Sequence, residues 1–262
     1  LVLAACGDDP GTNVDPTEVR FGDTALVVVV NPTINDANRH SLAAPGTARA
    51  DITLSSDDGV TDTTDAEGIA VLAPLTPGAR TIHVTGGAID ASFTIMLADG
   101  ALREVALAAD ATRADVMVDL DYKSDRVFEV VPTMTVAEVN AALTVSDRVV
   151  FFKGGTYVGD IDFSASRVTL FGEGVLGGTV TLQGNVTVSG SDSRIRGTHI
   201  TGTLAIPASG SGLTFSRVDG AVQAEGSDTT LLANALCGGA TVTGSGSIVV
   251  GNAGAAPTTQ CP

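Results

Sequence analysis

Basic residues are scarce: 14 Lys and Arg stand against 30 Asp and Glu, for a formal charge of −16 at pH 7. A surface of that sign repels nucleic-acid phosphates and anionic lipid headgroups alike, which excludes nucleic acid as a partner. Tryptophan is absent and tyrosine occurs twice. The abundance of Gly, Val, Thr, Ala and Ser favours many short strands and tight turns over packed helices. Beyond the opening residues no apolar run approaches the roughly 18–20 residues needed to span a bilayer, so membrane attachment must come from the N-terminus. Of three cysteines, Cys237 and Cys261 have no neighbouring His and supply too few ligands for zinc. No Ser-His-Asp order, phosphate-binding loop or HExxH helix occurs. No metal, cofactor or catalytic residue is expected. With 262 residues the chain can bury the cores of two modest domains.

The opening Leu1-Val2-Leu3-Ala4-Ala5-Cys6 resembles the end of a bacterial lipoprotein signal peptide, in which small residues precede a lipid-modified Cys. The chain starts without an initiator Met or a basic region, as expected of a sequence that begins inside such a signal. The resemblance implies a diacylglyceryl group on Cys6, anchored at about 0.8 kcal/mol per buried methylene. Gly7 after that Cys, in place of Asp, implies the outer membrane or cell surface of a Gram-negative bacterium. Residues 1–18 form this lipobox and a polar, Pro- and Gly-rich tether that cannot build a core. In such an oxidising compartment Cys237 and Cys261 are an even pair, expected as a disulfide that clips the C-terminal tail to the body.

The first domain is expected at residues 19–121. Strand signals run at Ala25–Val30, Ala50–Leu54, Ile69–Leu72, Arg80–Thr85, Ala91–Leu97 and Leu102–Leu107, separated by turn-formers such as Asp57-Asp58-Gly59, Pro77-Gly78 and Gly86-Gly87. That rhythm predicts a β-sandwich. The segment 64–84, an Asp65-Ala66-Glu67-Gly68 turn, a strand, Leu75-Thr76-Pro77-Gly78 and another strand, resembles the carboxypeptidase regulatory-like, transthyretin- and Ig-like sandwiches. Its departure is Ala79, where that family often has an aromatic. Modules of that family are usually passive spacers or adhesive units. The acidic cluster Asp57, Asp58, Asp62 and Asp65 lacks the order of a Ca²⁺ loop and reads as solvated turns. His40 and His83 read as surface residues.

The second domain is expected at residues 122–262. Thr135 and Glu138 form a capping box for a short helix, Val136–Leu143, that would lid a stack of strands. From Leu182 onward the chain repeats every eighteen residues. Three apolar columns show it: Leu182, Ile200, Val218 and Leu236; Val188, Ile206, Ala224 and Val242; Ile195, Leu213, Leu231 and Val249. Gly184, Gly202, Gly220 and Gly238 mark a corner, and Thr198, Ser216, Asn234 and Asn252 form a polar column suited to side-chain ladders. These repeats predict a short parallel β-helix, so the fold class is all-β. The helix, the run 150–157 and the Asn column resemble the right-handed pectate lyase-like architecture. A left-handed hexapeptide acyltransferase-like coil remains the alternative, although the apolar columns do not fall in strict hexads.

Polysaccharide lyases of that shape imply a cluster of acidic Ca²⁺ ligands plus an Arg or Lys base, and glycosidases need paired carboxylates. Asp160 and Asp162 are read as facing opposite sides of a strand. Asp192, Asp219, Glu225 and Asp228 are read as occupying different coil positions. Arg194, Arg196, His199, Arg217 and Asp219 are the residues expected to share a patch that binds polar or acidic glycan. The expectation is a monomeric, lipid-anchored, non-enzymatic surface protein whose partners are the membrane, through its lipid, and a polysaccharide or another surface protein. A carbohydrate-active enzyme of the same fold is the alternative.

Overall fold

The computed structural model describes residues 22–32, 50–66, 68–109, 111–122, 125–173, 180–250 and 252. Cys6, the tether, His40 and Cys261 lie outside them. The described chain is mostly strand, with three long parallel sheets compatible with a β-helix.

The N-terminal part holds β1 (Ala25–Pro32), β2 (Thr53–Ser56), β3 (Thr61–Thr63), β4 (Ile69–Leu72), β5 (Gly78–Gly86), β6 (Ile89–Leu97), β7 (Leu102–Ala109) and β8 (Ala114–Asp121). They form two four-stranded sheets, ordered β4-β1-β7-β8 and β3-β2-β5-β6. β6 alternates buried and exposed residues along its whole length, as a strand with one wet face must. β1 does not alternate, because Ala25 to Val30 are all buried. Leu26, Val28 and Val30 pack with Leu54, Ile82, Val84 and Phe93 of the other sheet, whereas Ala25, Val27 and Val29 pack on a second core. Two buried faces demand a continuous apolar run, and Ala25–Val30 is one. Strands β3 and β8 were not expected from sequence. Both carry carboxylates that the fold engages: Asp62 in β3 accepts from the Val71 amide at 2.7 Å, and Asp119 in β8 accepts from Arg103 Nε at 2.9 Å.

After β9 (Val127–Val130) comes α1 (Val136–Ala142), with Leu143 as its C-cap. The Glu138 amide donates to Thr135 Oγ1 at 3.3 Å and the Thr135 amide to Glu138 Oε2 at 2.7 Å, closing the expected capping box. The chain then visits three sheets in rotation. The coils are β10 (Arg148–Phe152), β11 (Gly155–Val158), β12 (Ile161–Phe163); β13 (Val168–Gly172), β14 (Val180–Gln183), β15 (Val186–Val188); β16 (Arg194–Arg196), β17 (His199–Ile200), β18 (Leu204–Ile206); β19 (Gly212–Thr214), β20 (Arg217–Val218), β21 (Val222–Ala224); β22 (Thr230–Leu232), β23 (Ala235–Leu236), β24 (Ala240–Val242); and β25 (Ile248–Val250). Every pairing among them is parallel, giving one seven-stranded and two five-stranded sheets. The columns at eighteen-residue spacing are register partners, for example Ile195 with Leu213 and Leu213 with Leu231. Their side chains fill one continuous core that also takes Val139, Ala142 and Leu143 from α1.

Two features make each turn of this stack repeat the last. At the glycine corner the Gly202 and Gly220 amides each donate to the glycine carbonyl one coil earlier at 3.1 Å. A Cβ on Gly220 would lie 2.4 Å from the Gly202 oxygen, so no other residue fits without moving backbone. At the polar column Ser216 N–H donates to Asn234 Oδ1 at 3.0 Å, Asn234 N–H to Asn252 Oδ1 at 2.9 Å, and Asn234 Nδ2 to the Leu213 carbonyl at 2.9 Å. A second ladder, not anticipated, runs through buried Ser193, Ser211, Thr229 and Ser247; Ser193 N–H donates to Ser211 Oγ at 3.1 Å and Thr229 N–H to Ser247 Oγ at 3.2 Å.

The outer face of the seven-stranded sheet is covered. Val149, Phe171, Phe215, Leu232 and Ala233 pack against Val27, Val71, Ala106, Val118 and Leu120 of the N-terminal part, forming the second core that β1 serves.

Candidate functional site

The five residues expected to form one patch occupy three places. Arg196 is 1 % exposed and lies in the covered interface. Its Nε donates to Glu104 Oε1 at 2.5 Å, and Glu104, fully buried, also accepts from the Tyr122 hydroxyl at 2.6 Å. The guanidinium carbon sits 4.6 Å from the ring centre of Phe171, 5.6 Å from that of Phe215 and 5.9 Å from that of Tyr122. Both terminal nitrogens of Arg196 lack a hydrogen-bond acceptor there, so the aromatic faces supply their stabilisation. Burial, with the Glu104 charge added, holds the Tyr122 hydroxyl well above its ordinary value and keeps it a donor. Arg196 is therefore unavailable to a ligand, contrary to expectation: the N-terminal part covers the outward face of its strand at this position.

His199, Arg217 and Asp219 do come together. They stand on the outer face of the five-stranded sheet β11-β14-β17-β20-β23, where His199 pairs in register with Arg217. Asp219 bridges the two: Oδ1 accepts from Arg217 Nε at 2.8 Å and Oδ2 lies 2.8 Å from His199 Nε2. Burial alone would raise the Asp219 carboxyl, but the bonds from Arg217 and His199 outweigh it and hold the group below the usual carboxylate value. An ionised carboxylate only accepts, which makes Nε2 the protonated nitrogen of His199 and turns Nδ1 away from Asp219. The register column is Thr156, Thr181, His199, Arg217 and Ala235, so the cluster is flanked by hydroxyl and methyl groups with no carboxylate pair. The arrangement offers oriented donors and acceptors to a polar ligand.

Arg194 stands apart on the seven-stranded sheet, where a groove of about 480 Å³ runs along the seam with the N-terminal part. Asp121 and Tyr122 line it on one side and Asp147, Arg148, Val149, Arg167, Thr169, Asp192 and Arg194 on the other. The corner residues Asp147, Arg167 and Asp192 have φ of 60°, 57° and 56°, so three successive coils set charged side chains in the left-handed conformation.

The carboxylates read as isolated need two corrections. Asp160 and Asp162 do not point to opposite faces; residues two apart on a strand share a face, and both are exposed on either side of buried Ile161. Asp192 and Asp228 do share a coil position, two coils apart, at a corner occupied alternately by Asp and Gly. A Cβ on Gly210 would lie 2.2 Å from Asp192 Oδ1, and one on Gly246 2.1 Å from Asp228 Oδ1, so each Asp leans over the glycine of the next coil. The outer column of the second five-stranded sheet, Asp162, Thr187, Ala205, Gln223 and Thr241, holds one carboxylate.

The acidic cluster of the N-terminal part is absorbed by its own turns. Asp58 accepts from the Thr76 amide at 2.9 Å, Asp65 from the Ile69 amide at 2.8 Å, and Asp57 pairs with Arg80 at 3.3 Å. Burial pushes the Asp62 carboxyl up despite amide bonds from Val71 and Thr63. Among the described residues no three His, Cys, Asp or Glu side chains group so as to hold a metal ion. His83 is exposed, and Cys237 is disulfide-bonded. No described helix is long and apolar enough to cross a membrane.

No protein-family model, curated protein or solved structure matches the chain.

Proposed function

We propose that this is a lipid-anchored surface protein of the outer membrane of a Gram-negative cell, without enzymatic activity, that binds polar glycan or another surface component. In this scheme Cys6 carries the lipid, residues 1–18 are the leash, the two four-stranded sheets are a β-sandwich spacer of the carboxypeptidase regulatory-like kind, and the parallel sheets are a right-handed β-helix capped by α1. Cys261 is the partner of Cys237. One observation carries the binding role: of the three outer faces of the stack, one is packed against the spacer, and on an open one Asp219 fixes His199 and Arg217 in a single polar array. Glycan recognition asks for several oriented hydrogen-bonding groups at a face that is reachable, and that array provides them.

The test uses the full chain carrying Cys6→Ser, so that no lipid is added, on a glycan array and in polysaccharide pull-downs, with release of unsaturated or reducing ends measured in parallel. Binding without turnover, weakened by Arg217→Ala, is the expected result. Turnover that survives purification and requires Ca²⁺ sinks the non-enzymatic assignment in favour of a carbohydrate-active enzyme. If no glycan binds, the partner is a surface protein and the glycan assignment fails.

A further inference from the structure

We propose that the seam groove is a second ligand site, built around Arg194 and Asp192, and that it takes a small zwitterionic ligand bearing both a carboxylate and a primary ammonium group, as the free ends of a short peptide do. The starting observation concerns how this protein uses arginine. Among the described residues Arg80, Arg103, Arg113, Arg167, Arg196 and Arg217 are all ion-paired, and Arg148 donates to the Ala142 carbonyl and lies over the Phe128 ring. Arg126 acts on Asp147. Arg194 has no such partner, although it lies half-buried in a concave groove with carboxylates in the same lining. Asp192, two residues earlier and facing the same groove, likewise makes no ion pair or hydrogen bond through its carboxylate, its only charged influence being on Arg167.

The rest of the lining is already satisfied. Arg167 grips Asp147 through Nε at 2.5 Å and Nη2 at 2.9 Å, which lowers the Asp147 carboxyl, and Asp121 reaches Arg103 at 3.9 Å. What remains unpaired is one cation and one anion on neighbouring positions of β16 and its corner, above a floor of Val149 and Thr169. A ligand with one charge of either sign would satisfy one of them and leave the other exposed to its own kind. The charge of the whole chain, −16, further disfavours a net anion, whereas a neutral zwitterion arrives without that repulsion. The lining itself is balanced, three Asp and three Arg. A volume of about 480 Å³ falls within the range of small-molecule sites and admits two or three amino-acid residues in extended form. The fork of Arg194 suits a carboxylate, and the Asp192 carboxylate suits an ammonium. This site lies on a different sheet from the His199 cluster and does not depend on glycan binding there.

The probe is trialanine, titrated into the full chain carrying Cys6→Ser and followed by amide chemical shifts and by calorimetry, beside its N-acetylated and C-amidated forms. Trialanine is expected to shift resonances of β10, β13 and β16 with saturation. Arg194→Gln and C-amidation should each weaken binding by roughly tenfold to hundredfold, the loss of one charge-assisted contact. Asp192→Asn, which keeps a residue tolerant of positive φ, and N-acetylation should weaken it comparably. Retained resonance dispersion of the variants, read in the same spectra, keeps loss of binding distinct from loss of fold. Absence of saturable shifts up to millimolar trialanine, or binding of the amidated or acetylated form as tight as that of trialanine itself, overturns the proposal.

Discussion

Replacing Arg196 by Met is expected to destabilise the protein by about 3–5 kcal/mol, the usual cost of orphaning one member of a buried ion pair. Glu104 would keep its charge at full burial with the Tyr122 hydroxyl as its remaining side-chain donor, while Met, similar in length and apolar, still fills the space between Phe171, Phe215 and Tyr122. Glu104→Met should cost a similar amount from the other side, leaving a guanidinium whose two terminal nitrogens already lack acceptors. The double substitution Glu104→Met with Arg196→Met removes both charges at once. Tyr122 then retains Thr214 Oγ1 at 2.9 Å as a partner, and the double variant should match or exceed the parent, as buried pairs exchanged for apolar residues often do. Equilibrium urea unfolding of the four proteins gives the coupling energy directly. A single-variant loss under about 1 kcal/mol, or a double variant as unstable as the two singles summed, refutes the view that this pair is a desolvated latch between the N-terminal part and the stack.

Asn234→Ala should cost about 1–3 kcal/mol for each backbone group it strands, here the Ser216 amide and the Leu213 carbonyl, measured by urea midpoint. Gly220→Ala drives a methyl into the Gly202 carbonyl and should cost about 1–3 kcal/mol or more, whereas Gly59→Ala meets no atoms and should lose stability only through its φ of 94°. Asp219 has a lowered folded-state value, so its contribution is fully present above the unfolded carboxylate value and fades as pH falls through the lower folded one; Asp219→Asn should flatten the part of the acid-unfolding profile that lies below the unfolded carboxylate value. Thermal unfolding across that range checks it.

The parts of the fold legible in sequence are those where one residue position repeats its environment. The three apolar columns and the Asn column lie eighteen residues apart because each coil there has the same length, so identical positions become register partners. Earlier coils obey the same architecture invisibly: Val149 pairs with Val127, Thr169 with Val149 and Arg194 with Thr169, offsets of 22, 20 and 25 residues that no fixed period detects. β3 escaped notice because Thr61-Asp62-Thr63 has no apolar residue; its buried position is Asp62, satisfied by backbone amides. The His199, Arg217 and Asp219 cluster was within reach because two of the three sit one coil apart. The groove was not, since Asp121 and Arg194 meet only through the packing of the two parts of the chain.

The displacement of Arg196 from surface to interface has a signal that spacing alone could not weigh. On each of the two five-stranded sheets one outward column is polar or small: Thr156, Thr181, His199, Arg217, Ala235 on one and Asp162, Thr187, Ala205, Gln223, Thr241 on the other. On the seven-stranded sheet one outward column is Phe151, Phe171, Arg196, Thr214 and Leu232. A solvated face has no use for two aromatics and a leucine in line, so that column is the one built to be covered, and any arginine in it must carry a counter-charge from whatever covers it. Glu104 is that charge, placed on β7 between the buried Leu102 and Ala106 two positions to either side, which share its face. In this chain the odd residue in each pattern, an acid in an apolar strand and a base in an aromatic column, identifies the two surfaces that meet.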